Sequence, residues 1–114
     1  MIRIFVFSYS GDAAEAVACV RCVRMAVPYA SVTVVDDAAS PVQEDTAAAL
    51  RSIGADYVRA SWDRQGNLRG PACIRGMLSE MCREAEDDDI VVKIDCDTAL
   101  LDDGWLRWMD AHPA

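Results

Sequence analysis

Four short runs rich in β-branched and apolar residues, separated by segments whose apolar residues recur at helical spacing, limit what this chain of 114 residues can fold into. Ile2 to Tyr9 is nearly continuous in apolar side chains, as in a strand covered on both faces. Ser31 to Val35 is mostly β-branched and stops at Asp36-Asp37. Asp56 to Ala60 is a third, less pronounced run, and Ile90 to Ile94 leads into Asp95-Cys96-Asp97.

The segments between them read as helices. Asp12 and Glu15 stand in a capping-box relation, and Ala13, Ala16, Val17, Val20, Val23 and Val27 then recur until Pro28, which predicts a helix over 13–26. Ser40 can cap and Pro41 can open a second helix, with Gln43 completing the box and Gly54 ending it. Pro71 opens a third, in which Ile74, Met77, Leu78, Met81, Cys82 and Ala85 form the clearest apolar face in the chain. Asp103-Gly104 leads into a last short helix with Trp105, Leu106, Trp108 and Met109 on its apolar side. Ser61 to Gly70 reads as a polar loop carrying Trp62, Arg64, Asn67 and Arg69, with Trp62 folding back on the core. The acidic run Glu86 to Asp89 reads as a solvated turn.

Strands alternating with helices, joined by right-handed crossovers, make an α/β fold: an open, doubly wound, mostly parallel sheet of about four strands with helices on both faces. A chain of this length buries about two-thirds of its unfolded surface, enough for one core, so a single domain over 1–114 is expected. Nineteen acids against 11 bases give a formal charge of −8, which argues against nucleic acid and anionic membranes as partners. No stretch approaches the ~18 consecutive apolar residues of a spanning helix, and Met1 to Phe7 lacks a cleavage site behind it. A cytoplasmic location is therefore expected. The five cysteines read as reduced thiols. Cys19-Val20-Arg21-Cys22 has the spacing of a redox pair but falls inside a helix, away from the strand-to-helix turn that such chemistry uses. With one His and no second Cys pair, a structural zinc site lacks ligands.

In doubly wound sheets, ligands bind outside the carboxyl ends of the strands, where the strand order reverses. Ser8 and Tyr9 follow the first run, Asp36 and Asp37 the second, Asp95 and Asp97 the fourth. Two carboxylates one residue apart at a strand end suit Mg²⁺ or Mn²⁺, with water and phosphate oxygens completing the shell. Asp95-Cys96-Asp97 can equally be a polar strand exit, and Asp36-Asp37 an Asx-type turn or a helix cap.

The segments Ile4-Phe5-Val6-Phe7-Ser8-Tyr9, Val34-Val35-Asp36-Asp37-Ala38-Ala39-Ser40, Gly66-Asn67 leading to Ala72 and Arg75, and Val92-Lys93-Ile94-Asp95-Cys96-Asp97 occur in an order and spacing that resemble the nucleotide-binding half of GT-A glycosyltransferases, especially family 2. The resemblance covers nearly the whole chain and implies a Rossmann-like donor domain, shortened relative to a full catalytic domain. It implies transfer of a sugar from a nucleoside diphosphate sugar to an acceptor that these residues do not name. Asp36 or Asp37 would contact the nucleobase or ribose, Asp95 the ribose or the metal shell, and Asp97 would ligate Mg²⁺ or Mn²⁺ bridging the diphosphate. Ser8 and Tyr9 would line the nucleotide pocket, and Arg75 would orient the sugar diphosphate. Gly76 stands where an Asn commonly follows the Arg, and the chain stops before the acidic residue that serves as general base in inverting members.

Three other readings compete. A non-catalytic nucleotide-binding module would keep the fold without turnover. A response-regulator receiver shares the length and acidity but carries its Asp pair after the first strand. Asp95-Cys96-Asp97-Thr98 before Ala99-Leu100-Leu101 also resembles the first motif of haloacid-dehalogenase phosphatases, which needs a long downstream domain. Trp105 and Trp108 should pack, or else leave an apolar patch that drives self-association.

Overall fold

The computed structural model of the protein describes residues 1–62 and 71–112. Arg64, Gly66, Asn67 and Arg69 lie outside the described residues. The elements in chain order are β1 (Ile2–Ser8), α1 (Ala13–Ala26), β2 (Ser31–Asp36), α2 (Glu44–Ser52), β3 (Asp56–Arg59), α3 (Pro71–Cys82), β4 (Ile90–Asp95) and α4 (Gly104–Ala111), with a single 3₁₀ turn at Ser10–Asp12 feeding α1.

The four strands form one parallel sheet in the order β3-β2-β1-β4. From β1 the chain winds outward through β2 to β3, then returns across β1 to place β4 on the other side. The pleat sorts side chains accordingly. Ile4, Val6, Val32, Val34 and Ile94 pack with Ala16, Val20 and Val23 of α1, Leu50 of α2 and Leu106 of α4. Phe5, Phe7 and Val35 face the other way, toward Met81 and Met77 of α3. Helices thus cover both faces, and α3 changes sides because its crossover runs in the opposite direction along the sheet. In this order β1 lies between β2 and β4, whereas a receiver pairs its first strand with the second and third, so the receiver reading is set aside on topology.

Several local expectations change. The second helix begins at Glu44, with Gln43 and not Ser40 before it, because the amide of Val42 is taken by the Asp36 carboxylate and residues 38–43 are held as a loop. Gly54, at φ +96°, permits the left-handed turn out of α2. Asp12 precedes α1 without a side-chain hydrogen bond that caps it. On α3, Met81 is buried and Met77 half-buried, but Ile74, Leu78 and Cys82 are exposed. The helix meets the sheet along a narrower line than its apolar stripe. Asp89 is no solvated turn residue: it accepts hydrogen bonds from Arg3 Nε (2.7 Å) and the Glu86 amide (2.9 Å), and lies 3.1 Å from the chain's amino group. Glu86, Asp87 and Asp88 are exposed as expected. Trp105 packs against the core, whereas Trp108 is 61% exposed and stacks on His112.

Candidate functional site at the carboxyl ends of the strands

The strand order reverses between β1 and β4, so the loops leaving these two strands flank the crevice where an open sheet admits a ligand. Ser8-Tyr9 leaves β1 on one side and Asp95-Cys96-Asp97 leaves β4 on the other, with Asp36-Asp37 next along. The sequence-predicted residues from these three strands therefore converge on one end of the sheet.

Their roles at that end differ. Register pairs Ser8 with Asp36 on adjacent parallel strands, and both are 0% exposed. The Asp36 carboxylate accepts hydrogen bonds from Ser8 Oγ (3.0 Å), the Asp37 amide (3.0 Å), the Val42 amide (2.8 Å) and the Tyr57 phenol. A buried carboxylate is tolerated only with such partners. Burial, followed by the bond to Asp36, raises the Tyr57 phenol above its usual range, so it stays a donor at neutral pH. Sequence reasoning missed Tyr57, whose place on β3 shows a partner only once β3 is known to lie beside β2. Asp37 is 2% exposed, and its Oδ2 accepts the Ser40 amide at 3.0 Å in a local turn. Ser10 and Ser40 then join the two loops, through a 2.8 Å backbone bond and a 2.6 Å contact between hydroxyls.

The far side of the crevice is open. Asp95 and Asp97 are both exposed, in a turn closed by the Thr98 amide on the Asp95 carbonyl (2.9 Å). Asp95 lines a hollow of about 340 Å³ with Lys93, Thr98, Leu100 and Trp105. Asp97 lines another of about 230 Å³ with Glu15, Cys19, Cys22 and Cys96. Among the described residues no group of three His, Cys, Asp or Glu could hold a metal ion. Mg²⁺ or Mn²⁺ takes one or two carboxylates and fills its shell from water and substrate phosphates, so each of these exposed carboxylates is a chemically suitable ligand, although the two line separate hollows. Cys19 and Cys96 are poor ligands at neutral pH: burial pushes Cys19 up to about 11 and Cys96 up to about 12. The same burial leaves the Cys19–Cys22 spacing without a reactive thiolate at Cys19.

Arg75 lies in the first turns of α3, exposed, with Nε donating to the Pro71 carbonyl of its own helix at 3.3 Å. It is not joined to the other candidate residues by any described contact. Trp62 folds back on the core as expected, its ring centroid 6.3 Å from that of Phe7. It also explains Gly76, where an added Cβ would fall 2.5 Å from the indole ring. A larger hollow, about 590 Å³, lies elsewhere, on the α3 face among Arg3, Ser31, Thr33 and Asp56 near the amino ends of the strands. Its charged rim is partly spent on internal pairs, Arg3 with Asp89 and Arg51 with Glu44.

No protein-family model and no curated protein matches the chain. Solved structures that share its fold include two of LgtC. One is an active-site mutant of LgtC, at TM-score 0.61 and 17% identity, covering 95% of this chain and 41% of that one. The other is the galactosyltransferase LgtC in complex with donor and acceptor sugar analogues, at TM-score 0.62 and 18% identity, covering 95% of this chain and 42% of that one. LgtC is a GT-A glycosyltransferase, and the fold here is GT-A-like. The chain spans about two-fifths of the length of these structures. Among the described residues no helix is long and apolar enough to cross a membrane.

Proposed function

We propose that the protein binds a nucleoside diphosphate sugar at the carboxyl ends of β1, β2 and β4, as the donor-binding part of a metal-dependent, family-2-like glycosyltransferase. One observation carries the reading: the exposed Asp95-Cys96-Asp97 turn leaves β4 beside the Ser8-Tyr9 exit of β1, at the reversal point of a GT-A-like sheet. Asp95 and Asp97 would hold Mg²⁺ or Mn²⁺, and Tyr9 would line the nucleotide pocket, with Ser8, fully buried, bonded to Asp36. Asp37 would meet the nucleobase or ribose, while Asp36, with both oxygens engaged, would hold the loop that presents it. Arg75 would approach the sugar diphosphate from α3. When bound, the cation supplies positive charge against the negative charge developing on the leaving diphosphate. The setting proposed for this binding is cytoplasmic.

Calorimetric titration of UDP, GDP and TDP, with and without Mn²⁺, tests the reading. It requires Mn²⁺-dependent binding of at least one nucleotide and its loss in Asp97→Ala. A folded protein that binds none of them contradicts it. Binding without sugar transfer or hydrolysis identifies a non-catalytic binding module.

A further inference from the structure

The chain contains a single lysine, Lys93, and that lysine stands at the candidate site. It is two residues before Asp95 on β4, so both side chains project from the same face of the strand. Register sets Lys93 beside Phe5 and Asp95 beside Phe7, on the α3 face. The ammonium forms an ion pair with Asp95 Oδ1 and lies 6.0 Å from the centre of the Phe7 ring. Both members of the pair remain open to solvent, at 38% and 69% exposure, and both line the same hollow.

A lysine on an edge strand commonly serves only to discourage pairing with another sheet. Here the ammonium is instead turned onto one of the two carboxylates that would hold a divalent cation. An ammonium and a divalent cation on the same carboxylate repel each other, so cation binding at Asp95 requires Lys93 to leave. In a chain of net charge −8 the departing ammonium gains most from an arriving anion with several charged oxygens.

Resting on the donor-site reading, we infer that Lys93 is a diphosphate-binding residue that occupies Asp95 until the nucleotide arrives. The nucleoside diphosphate draws the ammonium off Asp95 and frees that carboxylate for Mg²⁺ or Mn²⁺. Metal and nucleotide then bind cooperatively, each raising the affinity for the other by the same factor.

The test measures Mn²⁺ binding alone, by the loss of the free-ion electron paramagnetic resonance signal, and UDP and GDP binding at saturating Mn²⁺, by calorimetry. Wild type, Lys93→Met and Lys93→Arg are compared after circular dichroism confirms that each is folded. Lys93→Met should bind Mn²⁺ alone about three- to fivefold more tightly, the range for release of an exposed ion pair. It should bind the nucleotide about tenfold more weakly, as expected for loss of a charge-assisted hydrogen bond. Lys93→Arg, which keeps the charge, should restore both values toward wild type. A purely structural role for Lys93 would not move the two affinities in opposite directions. If wild type binds the nucleotide and Lys93→Met binds both ligands unchanged, the role of Lys93 is overturned and the donor-site reading stands. If wild type binds no nucleotide, the donor-site reading fails and takes this inference with it.

Discussion

The phenol of Tyr57, carried by β3, donates a hydrogen bond to the fully buried carboxylate of Asp36 at the end of β2, while the guanidinium of Arg51 lies 5.1 Å from the centre of the Tyr57 ring. Asp36 in turn holds the amides of Asp37 and Val42, so this contact secures the loop over residues 37–42 that borders the candidate site. Tyr57→Phe removes one of four donors from a carboxylate that water cannot readily reach. The expected cost is about 1–2 kcal/mol, read from urea denaturation midpoints at constant slope. A loss within error of zero would show that the phenol is dispensable.

Asp89 ties the start of β1 to the turn before β4, and its pH dependence follows from its partners. The backbone bond from Glu86, then the hydrogen bonds from Arg3 and the amino terminus, hold its carboxyl well below the usual carboxylate range. Its folded pKa is therefore lower than its unfolded one. Such a group contributes stability that is fully present above about pH 4 and is lost as the pH falls toward the folded value. Denaturation curves collected from about pH 6 down to about pH 2 should show this loss in wild type and a flatter profile in Asp89→Asn. Parallel profiles would contradict the assignment.

The five thiols should differ in reactivity. Cys82 is exposed on α3, whereas burial pushes Cys19 up to about 11 and Cys96 up to about 12. Iodoacetamide at about pH 8, followed by peptide mass mapping, should modify Cys82 first and leave Cys19 and Cys96 protected until the protein unfolds. Early labelling of Cys19 would contradict its buried, protonated state.

Exposed apolar side chains concentrate on α3 and near the carboxyl-terminal end of the described chain, at Ile74, Leu78, Leu101, Trp108 and Met109. Sedimentation velocity should reveal concentration-dependent self-association of this chain, reduced in Trp108→Glu. A monomer across a hundredfold range of concentration would remove the self-association expectation.

The parts of the fold legible in the sequence are those whose signal is local. β1, β2 and β4 announce themselves because a sheet covered on both faces requires runs such as Ile4 to Phe7 and Val32 to Val35, and Pro28 and Gly54 mark where helices stop. The clustering of Ser8, Asp36 and Asp95 at one end was readable because parallel strands bring all their carboxyl ends together. Long-range pairing was not readable. Ser40-Pro41 has the form of a helix start, yet Asp36 captures the Val42 amide and delays the helix to Glu44. Asp89 sits in an acidic run that looks solvated, yet Arg3 meets it from 86 residues away. Ile74 and Leu78 share the period of Met77 and Met81, but periodicity does not say how wide a strip of α3 the sheet touches. Within the site, spacing shows that Asp36 and Asp37 are neighbours. It does not show that Tyr57 and Ser8 consume the carboxylate of Asp36.

The central claim is that ligand binding occurs at the carboxyl ends of β1, β2 and β4, and not in the larger hollow among Arg3, Thr33 and Asp56. Amide ¹H–¹⁵N spectra recorded during titration with UDP or GDP in the presence of Mg²⁺ test it residue by residue. The account predicts shifts clustered at Ser8 to Asp12, Asp37 to Ser40 and Asp95 to Thr98, with Arg3, Thr33 and Asp56 unmoved. Shifts centred on Arg3, Thr33 and Asp56, or none at any ligand concentration, would contradict it.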